Sequence, residues 1–213
     1  MTSPTTSGRA NQKLRTRNAI VQAAAELSRT GREVTMPEIA RAALVSEATA
    51  YRYFPDLAGL LREAIAGQLP TPEQALASVA GSDDAVERVA AVTEFLLRHV
   101  LARQGVVRAM IAATVTRPGG AADRPGLRFG LIDHALAPLA RRPVAPGSDQ
   151  ARALEQLNRD LAVVISAEAL FNLTDLYGLD AEEAITSIVH TATTLTRATV
   201  QGHSVYEDAV RDL

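Results

Sequence analysis

Residues 35–61 read TMPEIARAALVSEATAYRYFPDLAGLL, and the rest of the chain is best understood outward from them. Thr35 precedes an apolar helical run and Glu38 follows three residues later. That is the spacing of a capping box, in which the two residues satisfy each other's free backbone N–H groups. Pro37 near the start is tolerated because a first-turn N–H has no intrahelical acceptor. The spacing predicts a short helix to about Ala43, a turn at Leu44-Val45, and a second N-cap at Ser46 with Thr49 in the place of the box's acid. A third short helix, SEATAYRYF, then stops at Pro55, because the residue before a proline is pushed out of the helical region.

On the amino-terminal side, Leu14, Ile20, Ala24 and Leu27 recur mostly at steps of three and four from Gln12 onward, and Gly31 supplies a stop. This is a first, longer helix. Residues 1–10, MTSPTTSGRA, carry too little apolar surface to offset the entropy of ordering, and are expected to form a flexible tail. On the carboxy-terminal side, Leu57, Leu60, Leu61, Ala64 and Ile65 fall on one face of a fourth helix that starts about Asp56 and ends in GQLPTP. Helical periodicity continues over about 72–79, 83–103, 105–116, 126–141, 149–177 and 181–201. The stretches RPGGAADRPG (117–126) and RPVAPGS (142–148) are too rich in Gly and Pro for a regular element. No alternating Val/Ile/Thr run between hairpin turns occurs, so the expected class is all-α. The expected domains are a helix-turn-helix unit over 11–56 and a helical ligand-binding and dimerisation body over 57–213.

Composition narrows the function. With 213 residues and 47% hydrophobic content the chain can bury a core without staples. It has no cysteine, which excludes a thiol nucleophile, a disulfide framework and cysteine-ligated metal, and makes the cytoplasm the expected compartment. No apolar run approaches the roughly 20 residues that span a bilayer, and the first twenty residues lack a signal-peptide core. The net charge of −2 is uneven: residues 1–63 sum to +3 and residues 64–213 to −5. If either part meets a polyanion, it is the first.

Two short helices joined by a tight turn and braced by a longer one are the parts of a helix-turn-helix, whose second member fits the roughly 12 Å major groove. Three of the chain's eight aromatics are Tyr51, Tyr53 and Phe54. One turn of helix can therefore turn apolar rings inward and a phenol outward. The hydroxyls of Thr49 and Tyr51, with Arg52 beside them, are suitable donors to phosphate oxygens and base edges. At helical spacing the tyrosines, taken alone, are ordinarily core aromatics.

Residues 35–61 resemble the signature of the TetR family of transcriptional regulators: a capped helix with Ile-Ala, a turn ending Val-Ser, then Thr-x-Tyr-x-x-Phe and a leucine-rich fourth helix. The resemblance covers about 50 residues, and beyond it the chain is similar only in helical plan and length. It implies that Thr35 and Thr49 bind phosphate, that Tyr51 packs on the backbone or a thymine methyl, and that Glu47 and Ala48, after the cap Ser46, face base edges with Arg52. Ile39, Ala40, Val45 and Phe54 are the implied core. Leu44 and Ala48 stand where the family favours glycine, and Asp56-Leu57 where it often opens the fourth helix with lysine. The loss of that lysine shifts the expected phosphate contacts to Lys13, Arg15 and Arg17, and Leu44 is expected to strain or reshape its turn. Glu47 and the three basic residues also read as solvated helix ends.

In the body, Leu154, Leu157, Leu161, Val164 and Phe171 form one seam and Ile185, Ile188, Ala192, Leu195 and Thr199 another. Either they close the monomer's own core or, as the resemblance implies, the last two helices of two chains build a four-helix homodimer interface. Polar groups among apolar neighbours suggest a pocket for a small, largely apolar effector: Phe95 and His99, Met110, Arg128, Phe129 and His134, Glu168, and Phe171 with Asn172. Each also reads as an ordinary satisfied residue. There is no HExxH pairing, phosphate loop or GxSxG elbow, so no enzyme, cofactor or metal is expected. The expected function is a ligand-responsive regulator, a repressor that binds double-stranded operator DNA as a homodimer. The alternative, raised by Asp56-Leu57, is a dimeric helical small-molecule or protein-binding module that no longer binds DNA.

Overall fold

The computed structural model describes residues 5–66, 68–116, 126–141, 145 and 147–211. The fold is all-α, and the described residues contain no strand. By contact the chain divides into two compact units, Met1–Leu69 with Leu101–Pro125, and Pro70–Val100 with Gly126–Leu213.

The first unit contains α1 (Thr5–Ser28), α2 (Met36–Ala42), α3 (Glu47–Tyr53), α4 (Leu57–Ala66) and α7 (Gln104–Thr116). Its α1 packs on α2 and α4, α2 on α3, and α4 on α7. One core unites them: Ile20 and Ala24, Val34, Met36 and Ile39, Ala50 and Phe54, Leu60, Leu61 and Ile65, and Val106 and Met110. Each large member removes apolar surface worth about 1.5–3 kcal/mol from water. That burial holds α2 and α3, each of seven residues and far too short to persist alone.

The second unit contains α5 (Pro72–Ala75) with a 3-10 turn (Ala77–Val79), α6 (Ala85–Ala102, whose last residues enter the first unit), α8 (Leu127–Ala140), α9 (Asp149–Val164), α10 (Ala167–Phe171) and α11 (Ala181–Arg211). Here α9 packs on α8 and α11, and α10 on α11. Arg88 of α6 ties to α8 by donating to the carbonyls of His134 (2.8 Å) and Ala135 (3.2 Å).

Several sequence expectations need correction. The polar segment before Gln12 is helical from Thr5, because once a helix is nucleated each added residue gains a hydrogen bond at little cost; the tail expected at 1–4 lies outside the described residues. The helix expected over 149–177 breaks at Ile165, whose ψ of 73° leaves the helical region. Ser166 then caps α10 by accepting from the Ala169 N–H at 3.1 Å. Residues 172–177 form a π-helical turn stopped by Gly178 at φ 84°, a conformation glycine adopts without steric cost. The last helix runs ten residues past the expected 201, to Arg211. The loops expected at 117–126 and 142–148 lie largely outside the described residues. In the two seams, Leu157, Leu161, Ile185, Ile188 and Ala192 are buried within the single chain, so they close the unit's own core. Thr196, fully buried with its hydroxyl on the Ala192 carbonyl, carries the α11 seam onward where Leu195 was expected.

The turn after α2 has the strain its sequence foretold. Val45 N–H bonds the Ala40 carbonyl (2.9 Å) and Leu44 N–H the Arg41 carbonyl (3.1 Å), the paired bonds of a Schellman ending. That ending places Leu44 at φ 56°, in the left-handed region, with 93% of its surface exposed. Elsewhere, Gly105 lets two backbones meet: a Cβ there would lie 1.8 Å from the Arg32 carbonyl oxygen.

These positions predict opposite responses to urea. Leu44→Gly relieves about 1–2 kcal/mol of left-handed strain against about 0.5–1 of added chain entropy, and loses no burial. It is expected to raise the stability of the first unit by roughly 0.5–1 kcal/mol. Gly105→Ala is expected to lower it by about 1–3 kcal/mol, the cost of forcing an extra methyl into closed packing. Unchanged midpoints in both variants would contradict these assignments.

Candidate nucleic-acid interface

The site begins at Ser46, whose side chain accepts the Thr49 N–H at 3.2 Å and lies 2.9 Å from the Thr49 hydroxyl. This cap fixes where α3 starts, and therefore which residues share a face. Residues 47, 48, 51 and 52 fall on one side by helical spacing, and 50, 53 and 54 on the other. Burial follows the same division. Ala50 is fully buried and Phe54 is 7% exposed, whereas Glu47, Ala48, Tyr51 (48% exposed) and Arg52 face outward. Glu47 sits in the first turn, where the helix dipole favours a carboxylate, and Arg52 in the last, where it favours a cation.

The hydroxyls expected to bind phosphate have partners inside the chain. Thr35 donates its hydroxyl (2.9 Å) and its backbone N–H (3.1 Å) to Oε2 of Glu38. The Glu38 carboxyl is held below its ordinary range by that hydroxyl first and the backbone bond second. Thr35 can give its proton to a phosphate only by rotating away from Glu38. The Thr49 hydroxyl, half-buried, is shared with Ser46.

The three basic residues of α1 differ among themselves. Lys13 and Arg15 are exposed and make no ion pair among the described residues. Arg17 instead grips Glu63 of α4 through both guanidinium nitrogens at 2.5 Å and lies 4.9 Å from the centre of the Phe54 ring. One side chain thus joins α1, the end of α3 and α4. The Asp56-Leu57 departure also has a local role: Asp56 accepts the Gly59 N–H at 2.7 Å, capping α4, and Leu57 packs against the core. Glu63 and the cap role of Asp56 were missed in the sequence. The first lies 46 residues from its partner, while the second was legible as Asp three residues before a free helical N–H.

The residues proposed to line an effector pocket are distributed as follows. Phe95 and His99 are half-buried on α6. Arg128 and Phe129 open α8, with the Arg128 guanidinium 4.8 Å from its neighbour's ring and 3.5 Å from Glu168 of α10. Glu168, which interrupts an apolar seam, therefore has a cation beside it. Phe171 is buried, while His134 and Asn172 are exposed. Met110 belongs to the core of the first unit, whereas the other residues of the expected set belong to the second. A cleft of about 490 Å³ in the second unit is lined by Ala140, Ala151, Leu154, Glu155, Asn158 and Arg159, none of them in the expected set. No group of three or more His, Asp or Glu side chains is placed to hold a metal among the described residues.

Residues 20–64 match the family described as bacterial regulatory proteins, tetR family. No curated protein matches the chain. Among solved structures, a TetR transcriptional regulator from Rhodococcus sp. RHA1 is similar in fold, with a TM-score of 0.52 and 23% identity over 85% of this chain and 96% of that one. No described helix is long and apolar enough to cross a membrane.

The Arg17 clamp makes a separable prediction. A half-exposed bidentate pair is worth about 1 kcal/mol and the ring contact roughly 0.5–1 more. Arg17→Ala is therefore expected to cost about 1–2 kcal/mol in urea, and a double-mutant cycle with Glu63→Ala to show coupling near 1 kcal/mol. Additive single effects would mean that the two side chains do not act on each other.

Proposed function

We propose that this chain, whose helix-turn-helix domain belongs to the tetR family of bacterial regulatory proteins, is a ligand-responsive transcriptional repressor that binds a near-palindromic operator as a homodimer. The observation that carries this reading is the division of α3, with Ala50 and Phe54 anchored in the core and Glu47, Ala48, Tyr51 and Arg52 outward. A helix held by one side and bare on the other is what the major groove admits. Glu47 and Ala48, at the amino-terminal end, face base edges. Tyr51, whose hydroxyl has no partner among the described residues, gives its proton to the sugar–phosphate chain. Lys13 and Arg15 add phosphate contacts, whereas Arg17 serves as the brace.

In the dimer, two such helices enter successive major grooves roughly 34–36 Å apart. With the apolar seams already closed inside the monomer, the second copy meets the outward side of α11, where Ser187, Thr191, Thr194 and Ala198 are exposed. Their small side chains favour close helix approach. The effector binds in the second unit, in a site drawn from Phe95, His99, Arg128, Glu168 and Phe171, a reading supported by the Arg128–Glu168 ion pair that interrupts an otherwise apolar seam. It releases DNA only if it prefers the dimer state whose helix spacing does not fit the operator.

Selection of duplexes from fragments of the source genome at low salt tests the reading. A sequence-selective duplex is expected to emerge, with affinity falling steeply as salt rises. Tyr51→Phe is expected to weaken its binding about fivefold, the equivalent of one hydrogen bond of about 1 kcal/mol. Failure to enrich any duplex would contradict the proposal and favour the module without DNA binding.

A further inference from the structure

We propose that the cleft between the start of α1 and the end of α3 is a seat for one backbone phosphodiester of a duplex, held by Lys13 and Arg52 together, so that Arg52 grips the sugar–phosphate chain and reads no base. The inference rests on the DNA-binding reading above and assigns a part of that surface which the sequence had given to base recognition.

Gln12, Lys13, Arg52 and Tyr53 line a cleft of about 380 Å³. Two elements far apart in sequence thus deliver a cation each to one concavity. Neither Lys13 nor Arg52 has an ion pair among the described residues, although Arg17, one helical turn along α1, is fully engaged by Glu63. Two unneutralised like charges facing one space repel each other, and an anion between them removes that cost. A phosphodiester oxygen pair suits both: the ammonium supplies a point charge and the guanidinium a planar fork.

The guanidinium is also held in place. It lies 5.7 Å from the centre of the Tyr53 ring, a contact that limits the rotamers Arg52 must give up on binding. The Gln12 amide adds an uncharged donor at the rim. Position along α3 points the same way. Base edges are met by the amino-terminal residues of a recognition helix, whereas Arg52 is in the last turn, beside α1. Lys13 is the chain's single lysine, so its environment can be followed chemically without interference from another side-chain amine.

The test uses the full chain with a random-sequence duplex of about two helical turns and with the duplex enriched by selection. Affinity is measured against salt for the unmodified protein, Lys13→Gln, Arg52→Gln and, as a charge-matched control in the second unit, Arg159→Gln. Each cleft variant is expected to weaken both duplexes by the same factor, roughly five- to tenfold at low salt, and to flatten the log–log salt slope by about 0.9. Arg159→Gln is expected to leave the slope unchanged. Acylation of Lys13, followed by mass spectrometry, is expected to be slowed by either duplex and not by inorganic phosphate at equal ionic strength.

The proposal is overturned if the unmodified protein shows a steep slope that neither cleft variant alters, a result that leaves the DNA-binding reading standing. It is also overturned if Arg52→Gln abolishes preference for the selected duplex while binding the random one normally, or if free phosphate protects Lys13 as well as DNA does. Absence of duplex binding by the unmodified protein would remove both readings.

Discussion

A helix of seven residues has no stability of its own in water, so everything attributed to α3 depends on how it is pinned. Ala50 and Phe54 supply the pin from α3 itself, and Ile20, Ile39 and Leu61 supply the wall they enter. Arg17 closes the joint by covering Phe54 while holding Glu63. Once these are fixed, the outward side of α3 has no freedom to choose its residues. The 3.6-residue period assigns Glu47, Ala48, Tyr51 and Arg52 to it.

The same constraint explains why the local irregularities are tolerated. The turn between α2 and α3 must reverse direction within a few residues, and the Schellman bonds do this only with a left-handed residue at position 44. Leucine bears a steric cost there because the cores of α2 and α3, on either side, are fully buried and over-determine the turn. Position 44 itself is bare to solvent, so its side chain offers no compensating contact. At the opening of α4, aspartate at 56 caps the helix with its own side chain. On the proposed function, the electrostatic work on a polyanion then falls to α1 and the end of α3.

Much of the first unit was legible because its signals are local. The capping box at Thr35 and Glu38, the Ser46 cap, the Pro55 stop and the apolar face of α4 each lie within a few residues of the structure they determine. Arg17 shows where this fails: its charge suggested a phosphate contact, but its partner is 46 residues away and visible only in the fold. The second unit was harder for related reasons. Periodicity across 149–177 is continuous in sequence, yet Ser166 offers the backbone a competing hydrogen bond and the helix restarts there. Apolar seams cannot say whose surface they cover; here the innermost residues of both serve the chain's own core. The effector residues rested on interrupted hydrophobic patterns; the fold joins Arg128 to Glu168 and to the ring of Phe129.

The central claim is that the bare side of α3 is the surface that enters a duplex. Amide hydrogen exchange of the full chain, with and without a saturating duplex, addresses it without altering any residue. The account predicts slowed exchange through residues 46–53 and at the start of α1. Duplex binding that leaves those amides untouched and protects another surface would contradict it.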